Sequence, residues 1–256
     1  ALGMNALILG VLAAYYVNNG ASLLVYFAGI VPHGIFELPA LLLAMWAQFR
    51  VQSTFRKYSD VPSAQGWTAA EMAADLLARN GLGDVRVERV RGSLTDHYDP
   101  RTNTLRLSDT VYGSTSLAAL GVAAHECGHA MQEAEGYKPL RIREKIVPVA
   151  QIGSWAAMPL FVLGLVMSWE PLLTAGIIVF SLVVAFYLVT LPVEFDASGR
   201  ALEQLEGGGY LSSAETDDAG RVLRAAALTY VAAALQAVLQ LLRLLVLAGG
   251  NRRNRD

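Results

Sequence analysis

The feature that most limits how this chain can fold is a long stretch almost without charge. From residue 148 to residue 195 the only charged side chains are Glu170 and Glu194. Such a stretch is typical of helices that cross a bilayer, each of which needs about 20 apolar residues. We predict two spans, at about 148–168 and 172–193, joined by a tight turn. Because a helical hairpin returns the chain to the side it left, the residues after the second span should face the same compartment as those before the first.

Composition indicates membrane segments elsewhere in the chain as well. The 256 residues are 54% hydrophobic and 16% charged, whereas about a quarter of residues are charged in soluble domains. Further apolar runs cover about 4–17, 21–49 and 225–247. The first of these is short for a full crossing, and we predict no removable signal peptide there. The net charge of -2 and the lack of a basic-aromatic array argue against binding of nucleic acid.

The run at 21–49 carries groups that are unusual in a membrane segment. His33 and Glu37 are four residues apart and could pair, and ionisable groups in such a segment are candidates for a function. The alternative is that this part of the run lies at the bilayer surface. Pro32 and Pro39 are expected to kink or interrupt a helix here.

The residues that carry the most chemistry are Ala123-Ala124-His125-Glu126-Cys127-Gly128-His129-Ala130. We predict a helix from about 116 to 135, in which His125 and His129 stand one above the other and can bind one metal ion. Glu126 points to a neighbouring part of the same face, where it can take a proton from a metal-bound water. Cys127, the only cysteine, lies off that face and is predicted to be a buried small residue rather than a ligand. The alternative is a pair of structural histidines on an ordinary helix.

The residues before the motif predict a small domain of mixed structure. A capping box that begins at Thr68 predicts a helix at about 69–79. Alternating apolar and polar residues at 84–90 predict a half-exposed strand. Two short strands that flank a turn-rich loop at 99–103 predict a hairpin. The strand at about 103–108, just before the motif helix, is well placed to bind an extended substrate by β-augmentation.

A catalytic zinc needs a third protein ligand, and an acidic residue after the second span is a candidate for it. Glu194 lies on the predicted side of the membrane, at the start of a predicted helix. A carboxylate at this place would complete a site of two histidines and one glutamate. The alternative is an acid that is favoured by the helix N-terminus, and Asp196 competes for the ligand role.

The remaining C-terminal part predicts a loop and one more membrane helix. Residues 207–220 are rich in Gly and Asp and are predicted to form the loop. The helix, at about 221–247, carries Gln236, Gln240 and Arg243 on one stripe. We expect this stripe to face protein rather than lipid, since exposure of these groups to lipid would be costly.

Two separated segments carry a family resemblance. Ala124–Gln132 and Leu191–Ser198 resemble the YugP-like neutral zinc metallopeptidases of bacterial membranes, and the likeness extends over about residues 45–248. Similar residues are also found at 98–101 and 226–231. A more distant likeness is to HtpX-type membrane proteases, which have Asp where this chain has Ser198. The supporting carboxylate expected there is therefore absent, or it is supplied by another residue such as Asp196.

The resemblance implies a gluzincin-like metal site and a reaction. It implies one Zn²⁺ per chain, with His125, His129 and Glu194 as ligands and Glu126 as the catalytic base. The implied activity is that of a membrane-bound zinc metalloendopeptidase, which would act on protein or peptide substrates, membrane proteins included.

For the whole chain we predict a mainly α integral membrane protein. A zincin-like α+β catalytic domain with a small β-sheet would be attached to about four transmembrane helices. The predicted segments are 1–49 (N-terminal membrane segment), 50–147 (catalytic region with the motif helix), 148–193 (transmembrane hairpin), 194–224 (second catalytic segment), 225–248 (C-terminal membrane helix) and 249–256 (basic tail). Residues 1–45 also resemble a segment of SpoIIM-type integral membrane proteins, from which we infer no function.

The charges beside the predicted spans indicate an orientation. Basic residues are frequent on the side of the motif helix, whereas the turn on the other side carries only Glu170. The positive-inside rule therefore places the site in the cytoplasm, and the family resemblance implies the inner membrane of a bacterial cell. Two alternatives to a peptidase are a non-catalytic zinc-binding membrane chaperone or adaptor, and a membrane structural or transport protein centred on His33 and Glu37.

Overall fold

The structure, a computed structural model, describes the backbone of residues 23–253 and the side chains of residues 39–249. In chain order the elements are α1 (Leu23–Ser59), α2 (Ala69–Arg79), β1 (Arg86–Val90), β2 (His97–Asp99), β3 (Thr104–Ser108), α3 (Leu117–Glu135), α4 (Lys138–Val166), α5 (Glu170–Gly207) and α6 (Ser213–Arg253). The chain is mostly helical with one small sheet, as the sequence predicts. The apolar run at 4–17 lies outside the described residues.

The chain forms two compact units. The apolar unit contains the described residues of 1–44, 145–188 and 232–256. The site unit contains residues 45–144 and 189–231. Each unit has its own buried apolar cluster.

Three helices of the described part are long and apolar enough to cross a membrane. They are Lys138–Val166, Glu170–Gly207 and the stretch Ser213–Gly249 of α6. The fourth span, predicted within 21–49, stays a prediction because the side chains up to residue 38 are not described. The backbone of α1 continues without a break through Pro32 and Pro39, so the helix is not interrupted there, and the predicted kink stays a prediction. His33 and Glu37 lie on α1, but their predicted pairing falls outside the described side chains.

Within the apolar unit, α4 and α5 form the predicted helical hairpin, with a turn at 167–169. Glycines allow the two helices to approach closely. A Cβ atom at position 176 would lie 2.7 Å from the Phe161 nitrogen, and Gly164 faces Leu173 in the same way. Phe161 and Leu173 also join Leu244 in a buried cluster. Small residues at helix contacts are common in membranes, where packing replaces the hydrophobic effect between helices.

The sheet of the site unit has the strand order β1-β3-β2. The pair β2–β3 is the predicted hairpin, whereas β1 runs parallel to β3 on its other side. The sequence prediction that β3 binds an extended substrate is therefore wrong, because both edges of β3 are already paired. The strand β2 lies at an edge of this sheet.

Local signals set the ends of the helices in the site unit. The capping box at Thr68 is present, and the Ser116 side chain accepts a hydrogen bond from the Ala119 N–H at the start of α3. Gly136 ends α3 with a φ of 66°, a left-handed conformation that favours glycine. The helices α2 and α3 therefore begin and end where the sequence predicts.

Two predicted boundaries in the C-terminal half are wrong. Glu194 does not begin a helix, because α5 continues through Pro192 and Glu194 without a break. The loop predicted at 207–220 is short, because Ser212 and Glu215 cap α6 and so start the helix at Ser213. The position of Glu194 in the middle of a helix also removes the alternative of an N-terminal acid.

The close approach of α3 and α5 is what positions the candidate site. A Cβ atom at position 128 would lie 2.6 Å from the Ala197 carbonyl oxygen, so only glycine fits there without movement. His125 lies about one turn before Gly128 on α3, and His129 follows Gly128 directly. The contact thus brings both imidazoles against the turn of α5 that contains Glu194.

Candidate metal centre

Three side chains from two helices meet in the site unit. His125 and His129 come from α3, and Glu194 comes from α5. The Glu194 Oε2 atom lies 3.3 Å from His125 Nε2 and 3.6 Å from His129 Nε2. The ligand-type atoms of the three residues all lie within 4.8 Å of one another. The structure thus brings together the three residues that the sequence proposes as metal ligands.

The burial of this group fits a bound cation. Glu194 is 3% exposed, and its buried Oε2 atom has no hydrogen-bond partner among the described residues. A buried carboxylate oxygen without a partner is expensive unless something positive lies beside it. Two imidazole nitrogens and one carboxylate oxygen are a donor set typical of zinc, so the residues present fit the metal that the sequence implies.

Glu126 lies beside this group but is held by another element. Its Oε2 atom accepts a hydrogen bond of 3.0 Å from the backbone N–H of Tyr98, on the edge strand β2. The Tyr98 N–H is therefore directed away from β3 and towards the helix α3. This contact links the Glu126 carboxylate to the edge of the sheet.

The outer nitrogens of both imidazoles also have partners. The Nδ1 atom of His125 lies 3.1 Å from the hydroxyl oxygen of Ser198, and the Nδ1 atom of His129 lies 3.0 Å from Oε1 of Gln132. Ser198, where the HtpX-type pattern has a carboxylate, thus contacts a histidine as a hydroxyl. Sequence reasoning missed Gln132, although its position three residues after His129 on a helix places both on one face.

Asp196, the rival for the third position, has a different place. It accepts hydrogen bonds from Gln132 Nε2 at 2.8 Å and from Arg200 Nε at 2.6 Å. It lies outside the group of His125, His129 and Glu194. Its carboxylate is therefore connected to the site through Gln132 rather than directly.

Sequence reasoning also missed two residues on the other side of Glu194. The Nη1 atom of Arg143 lies 3.7 Å from Glu194 Oε1, the oxygen that does not face the histidines. The Tyr230 hydroxyl faces the carboxylates of Glu194 and Glu126. Arg143 belongs to α4 and Tyr230 to α6, so only the folded chain shows that they approach the motif.

Two other residues with side chains that can bind metals are not part of the group. Cys127 is fully buried, as predicted, and burial raises the pKa of its thiol, so it is held as a neutral packing residue. His97 is exposed, and its Nδ1 atom lies 2.8 Å from the Thr95 carbonyl oxygen. Neither side chain belongs to the described cluster.

The comparisons with known proteins show the family to which the chain belongs. Residues 34–249 match the family described as "Putative neutral zinc metallopeptidase", and the chain belongs to this family. A relative from Bacillus subtilis (strain 168), named "Putative membrane protease YugP", is 49% identical over 210 residues, which cover 82% of this chain and 93% of the relative. No solved structure matches the chain. The family resemblance stated from the sequence is thus confirmed, and the matched residues begin at Gly34, within the segment that also resembles SpoIIM-type proteins.

Proposed function

We propose that this protein is a membrane-bound zinc-dependent endopeptidase that binds one Zn²⁺ through His125, His129 and Glu194. The observation that carries the proposal is the meeting of these three side chains around a buried carboxylate oxygen for which the described part of the chain supplies no hydrogen-bond partner. Membership of a zinc metallopeptidase family supports the choice of metal. The general arrangement would be that of a zincin.

Each neighbouring side chain has a task in this proposal. Zinc bound at the three residues would supply a water of lowered pKa and would polarise the carbonyl of the scissile bond. Glu126 takes the proton of that water and later gives it to the leaving amine. Arg143 places positive charge beside Glu194 Oε1, so that Oε2 is the oxygen left for the metal.

The substrate is proposed to lie along the edge strand β2. This strand pairs with β3 on one side, and on the other side the Tyr98 N–H is directed to Glu126. An extended peptide added at this edge would place its backbone beside the proposed base. Pairing of a peptide with a sheet edge gives affinity through main-chain hydrogen bonds and is tolerant of sequence.

Hydrolysis of casein by detergent-purified protein tests the proposal. Wild type should cleave casein when zinc is present and should lose this activity after treatment with a chelator. Glu126→Gln should retain zinc and lose activity by about 100-fold or more, since it cannot take the proton. Glu203→Gln, a change to an exposed residue of α5 outside the cluster, is the matched control and should be as active as wild type.

Other outcomes would point elsewhere. Cleavage by Glu126→Gln at the wild-type rate would contradict the proposed base. Zinc bound to both proteins without cleavage by either would favour the non-catalytic chaperone or adaptor. The proposal treats the substrate as a protein or peptide chain, membrane proteins included.

The proposed location is the inner membrane of a bacterial cell, with the site in the cytoplasm. The support is the excess of basic residues beside the spans on the side of the motif. Because the only cysteine, Cys127, is buried, a membrane-impermeant thiol reagent can report on single introduced cysteines. Met167→Cys, in the hairpin turn, should react in intact cells, and Glu203→Cys should react only after lysis. The reverse pattern would place the site outside the cytoplasm.

A further inference from the structure

Gln132 on α3 is a buried amide whose polar atoms all have partners. It is fully buried, which is unusual for glutamine. Its Nε2 atom donates to the Val193 carbonyl oxygen at 2.8 Å and to Asp196 Oδ2 at 2.8 Å. Its Oε1 atom lies 3.0 Å from His129 Nδ1. An amide held at both ends in this way has one orientation.

The partners of Gln132 decide which end of the amide faces His129. A backbone carbonyl and a carboxylate can only accept hydrogen bonds, so the amide group beside Val193 and Asp196 must be the NH₂. Arg200 pairs with Asp196 at 2.6 Å and with Glu135 at 2.8 Å, which fixes the carboxylate that receives the amide. A flipped amide would place its oxygen against two acceptors. The carbonyl oxygen of Gln132 therefore faces the imidazole.

The orientation of the amide in turn decides the tautomer of His129. An amide oxygen is only an acceptor, so the Nδ1 atom of His129 must carry hydrogen, and the lone pair of the neutral ring is then on Nε2. Nε2 is the atom that faces Glu194. At His125 the partner is the hydroxyl of Ser198, which can donate or accept and so is compatible with either tautomer. The two histidines are thus supported differently.

We propose that Gln132, held by Asp196, is a positioning residue that fixes the Nδ1–H tautomer of His129 and presets its Nε2 atom as a metal ligand. The inference rests on the proposed metal centre. Carboxylates or backbone carbonyls commonly support a metal-binding histidine in this way. Here a neutral amide does so, which orients the ring without adding a further negative charge beside Glu126 and Glu194. Asp196 thus acts on His129 through Gln132, whereas Ser198, at the position of the missing carboxylate, contacts His125.

The tautomer can be measured without metal and without a substitution in the network. The chain has only four histidines, so ¹⁵N labelling of their rings gives a simple NMR spectrum. The His129 signals can be assigned by their loss in His129→Gln. In metal-free protein at a pH where the ring is neutral, we expect hydrogen on Nδ1 and none on Nε2. Hydrogen on Nε2 would overturn the inference.

Zinc affinity gives a second test. Gln132→Met has a similar length and no acceptor, and it should weaken zinc binding by about 10- to 100-fold, the range typical of residues that support a ligand. Gln204→Met is the matched control, since Gln204 lies on α5 and bonds only with Asn80 among the described side chains. The control should bind zinc as wild type does. Equal affinities for all three proteins would overturn the inference.

A double substitution separates the effect of the hydrogen bonds of residue 132 from the effect of its packing. In Gln132→Glu with Asp196→Asn, a carboxylate oxygen again faces His129 and the new amide of residue 196 can donate to the other oxygen. This double variant should recover part of the zinc affinity that Gln132→Met loses. Gln132→Glu alone should recover less, because its new carboxylate lies beside the carboxylate of Asp196. The same affinity in both would contradict the role of Asp196.

The outcomes distinguish this inference from the proposed function. If wild type does not bind zinc, the metal centre is wrong and the inference fails with it. If wild type binds zinc and cleaves casein while Gln132→Met binds zinc equally well, only the inference fails. If Gln132→Met does not fold, the tautomer of His129 measured in wild type still tests the inference.

Discussion

The site unit and the apolar unit are stabilised by different kinds of contact. Among the described side chains, the buried polar ones of the site unit are Ser63, Thr104, Ser108, Ser116, Gln132, Thr190, Glu194 and Thr216, whereas the apolar unit has Arg243, which bonds with Gln240. In the apolar unit, glycines pack closely against backbone. The site unit therefore buries several polar groups, whereas the contacts of the apolar unit are mainly apolar and include closely packed glycines. Substitutions in the first should change metal binding, and substitutions in the second should change stability alone.

The largest expected effect follows the removal of the proposed third ligand. Glu194→Ala should weaken zinc binding by more than about 100-fold, because it removes a ligand rather than a residue that supports one. Without zinc its thermal stability should fall, because the change also removes the negative partner of Arg143 and of the two imidazoles. Asp196→Ala, on the same helix, should lose less affinity. Isothermal titration measures the zinc affinity of both variants. A greater loss of affinity in Asp196→Ala would indicate that Asp196, rather than Glu194, is the third ligand.

The next effect tests the contact that positions the two helices of the site. Gly128→Ala should destabilise the protein by about 1–3 kcal/mol, as overpacking does, and should also weaken zinc binding, because the new Cβ would lie 2.6 Å from the Ala197 carbonyl oxygen. Gly199→Ala on α5 is the matched control, since nothing lies near its Cβ position. The control should gain up to about 1 kcal/mol from higher helix propensity. Equal stability of the two variants would show that the helices are not in contact at Gly128.

A similar substitution in the apolar unit should affect only stability. In Gly176→Ala the new Cβ would lie 2.7 Å from the Phe161 nitrogen, so we again expect a loss of about 1–3 kcal/mol. Zinc affinity of the folded protein should equal that of wild type. Ile178→Ala, a neighbouring residue of α5 that is 58% exposed, should lose less stability. A change in zinc affinity for Gly176→Ala would contradict the separation of the two kinds of contact.

The smallest expected effect concerns Asp99 of the β2–β3 hairpin and its hydrogen bonds with Arg106 and Thr102. Hydrogen bonds from Arg106 and Thr102 lower the pKa of Asp99 to about 2. Because the folded pKa lies below the unfolded value, these hydrogen bonds stabilise the protein above about pH 4 and lose this effect as the pH falls towards 2. The difference in stability between wild type and Asp99→Asn should therefore shrink over that interval, as measured by urea unfolding. A difference that grows with falling pH would contradict this sign.

The sequence predicts the parts of the site unit that depend on local signals. The capping box at Thr68, the cap at Ser116 and Gly136 set helix ends within a few residues of chain. The face shared by His125 and His129 follows from helical periodicity alone. These features need no knowledge of the rest of the fold.

The features that the sequence does not predict depend on contacts between distant segments. The central place of β3 depends on β1, which crosses to pair in parallel with it. The sequence predicts that a helix starts at Glu194, but α5 continues through Pro192 and Glu194. Gln132 has no special signal of its own, because its partners Val193 and Asp196 lie far along the chain.

The central claim is that one Zn²⁺ is bound by two imidazoles and one carboxylate. X-ray absorption at the zinc edge of the purified protein identifies the atoms bound to the metal. The account predicts nitrogen and oxygen atoms at about 2.0–2.2 Å, with the scattering pattern of two imidazoles, and the loss of one imidazole in His129→Gln. A sulfur atom at about 2.3 Å, which only Cys127 or a methionine could supply, or a single imidazole in wild type, would contradict it.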